Sequence, residues 1–203
     1  MLDALARRLI DPPLAQAARL LVRAGIAPDA ITLAGFATGL MALPLLAVHE
    51  YSYALLAIFG NRLADGLDGA VARQGRRASD RGGFLDIVCD FVFYSAVPFG
   101  FALGRPDDAL AAAFLIFSFV GTGSSFLAYA VVAAKRGLTT SLRGEKSLYY
   151  LGGLTEGTET FALLVAICLF PEWFAWLAVG FGLACWLTTA SRVLAGWRAF
   201  GAL

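Results

Sequence analysis

Three stretches decide what this chain can become. Residues 31–48 (ITLAGFATGLMALPLLAV), 109–134 (ALAAAFLIFSFVGTGSSFLAYAVVAA) and 173–191 (WFAWLAVGFGLACWLTTAS) contain no charged residue. A helix of about 20 apolar residues matches the hydrocarbon thickness of a bilayer. Backbone amides in lipid must find partners inside the chain, so each run is expected to be helical. Three further runs, 51–72, 83–104 and 151–171, are apolar over part of their length and polar at one end. The pattern predicts an all-α integral membrane protein with six transmembrane helices. Composition agrees: 59% of residues are hydrophobic and 15% charged, against about 45–50% and about 25% in soluble domains. A chain of 203 residues suits one membrane domain over 1–203, with a short leading segment (1–27) ahead of a six-helix bundle (28–203).

The charges then set an orientation. If six helices alternate in direction, the segments before 31, at 72–83, at 134–150 and after 191 share one side. Those segments, with Arg62 in the same half of its helix, hold every Lys and Arg of the chain's 16 except Arg105. Basic residues collect on the cytoplasmic side, so both termini are expected there. The polar ends of the second, third and fifth spans then form a cavity open to the cytosol. Trp173 and Trp176 suit an outer aromatic belt and Trp197 an inner one. In the leading segment Leu2, Leu5, Leu9 and Ile10 share a helical face opposite Arg7 and Arg8, as in a helix lying on the membrane surface, and Pro12 and Pro13 are expected to break it. Gly35 and Gly39 form a G-x-x-x-G pattern that marks close helix packing within the bundle. Cys89, Cys168 and Cys185 lie in apolar runs without metal-type spacing and read as buried thiols. His49, the only histidine, sits at the outer end of the first span.

Four carboxylates interrupt this apolar pattern, at Asp65, Asp68, Asp86 and Asp90. Each costs about 2.5–3.5 kcal/mol at the centre of a spanning helix, so acids in such places are functional by default. Asp65 and Asp68 are spaced i, i+3, and Asp86 and Asp90 i, i+4, so each pair projects from one helix face. The short turn QGRRASDRG between them predicts two antiparallel neighbours whose acids form a four-carboxylate cup. Oxygen-only ligands suit Mg²⁺, Mn²⁺ or Ca²⁺ rather than zinc. Gly66, Gly69, Ala70 and Ala72 leave the first helix bare between its acids, and Gly82 and Gly83 do the same for the second. Arg73 can offer a forked donor to phosphate oxygens. A cation cup, a bare groove and an arginine describe a site for a nucleoside diphosphate.

The full pattern is Asp65-x-x-Asp68-Gly69-x-x-Ala72-Arg73, eight residues, then Gly82-x-x-x-Asp86-x-x-x-Asp90. It resembles the signature of the CDP-alcohol phosphotransferase family, class I, at every fixed position. The resemblance implies that Asp65, Asp68 and Asp86 hold one or two divalent ions, Mg²⁺ or Mn²⁺, with Asp90 as general base and possible further metal ligand. It implies that Asp65, Gly69, Arg73 and Gly82 border the nucleotide of CDP-diacylglycerol. The reaction would pass the phosphatidyl group to the hydroxyl of a polar alcohol, releasing CMP, in phospholipid biosynthesis. A homodimer in a bacterial inner membrane, with membrane lipid as its setting and no nucleic-acid partner, is also implied. One departure stands out: many members carry Pro-Asn-x-x-Thr before the first span, and this chain has Pro28-Asp29-Ala30-Ile31-Thr32.

The acceptor is less constrained. Arg143 and Lys146 are candidates for an anionic acceptor, whereas Lys135 and Arg136 equally suit anionic headgroups. Glu156 and Glu159, one turn apart, are expected to face the cavity, where they either pair with loop cations, bind an amine or polyol acceptor, or cap the helix start. Arg62 and Arg192 either pair with the acids or touch the acceptor. Two other functions fit the composition: transfer of phosphocholine or phosphoethanolamine to a lipid hydroxyl, and ion transport. The second would spread its acids across the bilayer, and here they gather at one end.

Overall fold

The computed structural model describes residues 3–137 and 154–201. Among them are eight α-helices and no strand: α1 Asp3–Arg23, α2 Pro28–Leu40, α3 Ala42–Ala47, α4 Tyr51–Gln74, α5 Asp80–Gly104, α6 Ala109–Lys135, α7 Gly157–Leu169 and α8 Phe174–Gly201, with 3₁₀ turns at Pro106–Asp108 and Pro171–Trp173. Four segments are long and apolar enough to cross a membrane: Pro28–Ala47, Asp80–Gly104, Pro106–Lys135 and Pro171–Gly201. Of the other two expected spans, α4 is long enough at 24 residues but carries Arg62, Asp65, Asp68 and Arg73 from its midpoint onward. Helix α7 has 13 residues, about 20 Å at the α-helical rise, which is short of a full crossing.

Two local expectations are corrected. The first span is not one helix: α2 stops at Leu40 and α3 starts at Ala42. Pro44 has no N–H to return to the Leu40 carbonyl, and the Met41 amide bonds Thr38 instead. Nor do Pro12 and Pro13 break the leading segment, since α1 runs through both. They remove two amide donors only, and beyond them α1 is tied to α4. Ala18 is fully buried beside Ala70 and Val71, and Gln74 Nε2 donates to the Ala15 carbonyl at 3.0 Å.

Helix α2 organises the half of the molecule that carries the acids. It packs against α4 and against α5. Two glycines permit this closeness. A methyl group on Gly35 would sit 2.4 Å from Ala64 Cβ, and one on Gly39 2.8 Å from both Asn61 Nδ2 and the Phe93 ring. The Asn61 amide donates to the Gly35 carbonyl at 3.0 Å, closing the joint. The G-x-x-x-G pattern thus serves packing within the chain. Gly35→Ala is expected to destabilise the fold by about 1–3 kcal/mol, the usual cost of overpacking. Thermal unfolding in detergent checks this, and an unchanged midpoint would contradict it.

The remaining core is aromatic and aliphatic. Phe93, Phe101, Phe174, Ile58, Leu115, Leu164 and Ile167 are fully buried, and the Phe101 and Phe174 rings stack 4.3 Å apart. Leu56, Val131 and Leu187 are exposed, as expected of a surface bathed in lipid tails. Trp173, Trp176 and Trp197 are exposed too. Where α3 and α5 end, His49 Nε2 donates to the Gly104 carbonyl at 2.7 Å. Nearby, Arg105 donates to Asp108 at 2.6 Å and to Glu172 at 3.3 Å; the Asp108 bond first, with that to Glu172, holds its guanidinium pKa above the ordinary value. All three cysteines are buried free thiols.

Candidate active site

The acid-bearing helices are placed differently from the expected pair of close neighbours. α4 and α5 rest on α2, and their backbones make little direct contact with each other. The reason lies in the side chains between them: acids and a long arginine need the width that two apolar helices would close. The gap is a cleft lined by Thr32, Gly35 and Phe36 from α2, Asn61, Arg62, Asp65 and Asp68 from α4, and Asp86, Cys89 and Asp90 from α5.

Within it, one carboxylate oxygen each from Asp65, Asp68 and Asp86 lie within 4.8 Å of one another. A hard cation bonds oxygens at about 2.0–2.6 Å, so opposed ligands sit about 4–5 Å apart. The trio therefore fits a single divalent ion in both spacing and donor type. Asp68 is buried and accepts a 2.5 Å hydrogen bond from Thr32 Oγ1, which fixes its orientation. Asp90 lines the same cleft but stands apart from the trio. Its Oδ1 receives Arg62 Nη2 at 2.6 Å. Three of the four expected carboxylates thus meet the spacing of a metal group, and the fourth lines the same cleft.

The small residues divide between two tasks. Gly66 and Ala70 are taken up by α1: a methyl on Gly66 would meet Leu14 at 2.9 Å, and Ala70 packs by Ala18. They do not form part of a bare groove. Gly69 does: the first group a methyl there would meet is the Arg73 guanidinium, at 3.1 Å. At the start of α5, Ser79 caps the helix by accepting from the Gly82 amide at 3.1 Å. A methyl on Gly82 would lie 3.3 Å from Asp29 Oδ1. Asp29 itself accepts from Arg81 Nε at 2.9 Å and forms a close pair with its Nη2. The residue that departs from the family pattern is therefore joined to the start of α5.

Three of the acceptor candidates, Glu156, Glu159 and Arg192, fall among the described residues. Arg143 and Lys146 lie outside the described residues. Glu156 and Glu159 form a capping box at the start of α7, the Glu156 amide donating to Glu159 Oε2 at 3.3 Å, so capping is the role seen. Arg192 is buried, donates to the Thr122 carbonyl at 3.0 Å and lies 5.6 Å from the Phe126 ring, which ties α8 to α6. Arg136 likewise holds the carbonyls of Ala199 and Phe200. Sequence reasoning passed over Phe36 and Asn61 and gave Thr32 no contact with the acids. Helical spacing held the signal, since 32, 35 and 36 share one face and 61, 65 and 68 another.

The family model for CDP-alcohol phosphatidyltransferases matches residues 25–190. The chain belongs to the CDP-alcohol phosphatidyltransferase family. Inner membrane protein YnjF of Escherichia coli K12 is 54% identical over 198 residues, covering 97% of this chain and 96% of the relative. A phosphatidylinositol phosphate synthase of Mycobacteroides abscessus is 32% identical over 191 residues, 92% of this chain and 77% of the relative. The crystal structure of Mycobacterium tuberculosis phosphatidylinositol phosphate synthase with CDP-DAG bound shares the fold, with a TM-score of 0.72 at 21% identity over 91% of this chain and 93% of that one. The protein is a transferase embedded in a membrane.

Proposed function

We propose that this transferase moves a phosphatidyl group from CDP-diacylglycerol to the hydroxyl of a polar alcohol and releases CMP. The observation that carries the reading is the convergence of Asp65, Asp68 and Asp86 oxygens in a cleft within the stretch matched by the family model. Asp65, Asp68 and Asp86 would hold a divalent cation, Mg²⁺ or Mn²⁺. Bound there, the ion supplies Lewis-acid stabilisation of charge on the diphosphate oxygens.

The chain's own residues do the rest. Arg73 lies over Gly69 and presents its forked donors to the phosphates. Gly69 and Gly82 leave backbone clear for the nucleotide. The acceptor oxygen attacks the phosphorus that carries diacylglycerol. Asp90 takes its proton on a carboxylate oxygen, and the bond from that phosphorus to CMP breaks. Positioning of acceptor and phosphorus in one cleft removes much of the entropic barrier.

Six crossings remain the preferred topology, with α4 and the run 151–171, which contains α7, completing the set. Both termini and the cleft then face the cytoplasm of a bacterial inner membrane, where basic residues gather, and α1 lies on the inner surface. One domain spans 1–203, and a homodimer is the expected assembly. Named relatives make phosphatidylinositol phosphate or, in Bacillus subtilis, act on serine, so the alcohol is sought among polyol phosphates and amino alcohols. The test is CMP release from CDP-diacylglycerol by purified protein with Mg²⁺ or Mn²⁺ and a panel of alcohols. Release with one of them supports the reading, and no release with any counts against it. Thr32→Val removes the hydroxyl that bonds Asp68. Loss of such an orienting partner typically costs about 10–100-fold in metal affinity, so half-saturating Mn²⁺ should rise by about tenfold or more; an unchanged titration would contradict this role.

A further inference from the structure

Arg62 occupies the cleft in a way that the proposed reaction does not yet use. Its side chain is 14% exposed and every face of the guanidinium is engaged. Nε and Nη2 donate to Asn61 Oδ1 at 2.9 and 2.6 Å. Nη1 donates to the Tyr94 hydroxyl at 2.7 Å and lies 3.5 Å from Asp65 Oδ2. Nη2 also meets Asp90 Oδ1 at 2.6 Å. The Phe93 and Tyr94 rings flank the group, each centroid 5.0 Å from its central carbon. α4 and α5 rest on α2 rather than on each other, and the Arg62 side chain spans from one to the other. A planar fork clamped by an amide, a phenol and two rings is a fixed cation, unlike the mobile ammonium of a lysine.

Its position bears on how many metal ions the cleft takes. A two-metal transferase would place its ions about 3.5–4 Å apart, the second bridging from Asp65 towards Asp90. In this chain that place already holds a positive charge. A second divalent ion would have to share that space and face the guanidinium at contact distance, where like charges repel strongly in a poorly solvated site.

We propose that Arg62 stands in for a second metal ion: the cleft takes one divalent cation, on Asp65, Asp68 and Asp86, and Arg62 keeps Asp90 off that ion and directed at the acceptor hydroxyl. This rests on the phosphatidyl-transfer reading above. Arg62 is then a positioning residue that acts through Asp90. Its fixed charge also offsets part of the acid cluster before any ion arrives.

Mn²⁺ binding to the purified full chain, followed by the electron paramagnetic resonance of free Mn²⁺, tests this without turnover. Wild-type protein should bind one ion per chain. Arg62→Gln should bind two, the second lost again in the Arg62→Gln/Asp90→Asn double variant. Asp90→Asn alone should still bind one, which keeps the test decisive if Arg62→Gln does not fold. In CMP release, Arg62→Gln should lose at least tenfold in kcat with the KM for CDP-diacylglycerol changed less than threefold, and Arg62→Lys should restore the single-ion stoichiometry with part of the rate. Two ions in wild type, or Asp90→Asn losing its one ion, overturns the proposal while CMP release leaves the transfer reading intact. Failure of CMP release with every acceptor strikes the transfer reading instead.

Discussion

Asp90→Asn is expected to lower kcat for CMP release by about 10³-fold or more, the scale on which a positioned acid or base contributes. The asparagine keeps the shape of the side chain and can still accept from Arg62, so the clamp across the cleft survives. What it loses is the ability to take a proton. Asp90 lies outside the trio whose oxygens meet, so Mn²⁺ binding and nucleotide affinity should change little. Turnover with CDP-diacylglycerol, set beside equilibrium binding of Mn²⁺ and CDP, separates the two effects. Normal turnover in this variant would remove Asp90 as the base.

Asp68→Asn should fail in the opposite sense. Asp68 is buried, held by Thr32 and one of the three whose oxygens converge. An amide oxygen in its place is a neutral, weaker ligand for a hard cation, and the Thr32 hydroxyl no longer meets a charge. Because lost orienting partners alone cost about 10–100-fold, loss of the charged ligand should raise half-saturating Mn²⁺ by at least about 100-fold. Excess metal should return part of the rate, which distinguishes this variant from Asp90→Asn. A metal titration that overlays the wild-type curve would contradict the site.

The structure was legible in the sequence wherever periodicity governs it. Apolar runs announced the helices, and the i, i+3 and i, i+4 spacings put Asp65 with Asp68 and Asp86 with Asp90 on common faces. What periodicity cannot express is the distance between helices. That α4 and α5 both lean on α2 depends on Gly35 and Gly39 meeting Ala64, Asn61 and Phe93, contacts between residues far apart in the chain. The same gap explains Arg62, whose partners Tyr94 and Asp90 lie 32 and 28 positions away. At the start of α7, capping was one of the readings open for Glu156 and Glu159, and the capping box is formed, although Glu in the leading position departs from the Ser or Thr usually found there. Pro44 carried a visible signal for the break at Met41, overridden by the apolar run around it, while at Pro12 and Pro13 the packing of Ala18 outweighed two lost amide donors.

The central claim is that acids from α4 and α5 grip one ion across a cleft. Diffraction from crystals grown with Mn²⁺, with data collected near the manganese edge, tests it most directly. The account predicts one anomalous peak per chain, bonded to an oxygen from each of Asp65, Asp68 and Asp86, with Asp90 still on Arg62. A fully occupied peak elsewhere, or none among these three carboxylates, would contradict it.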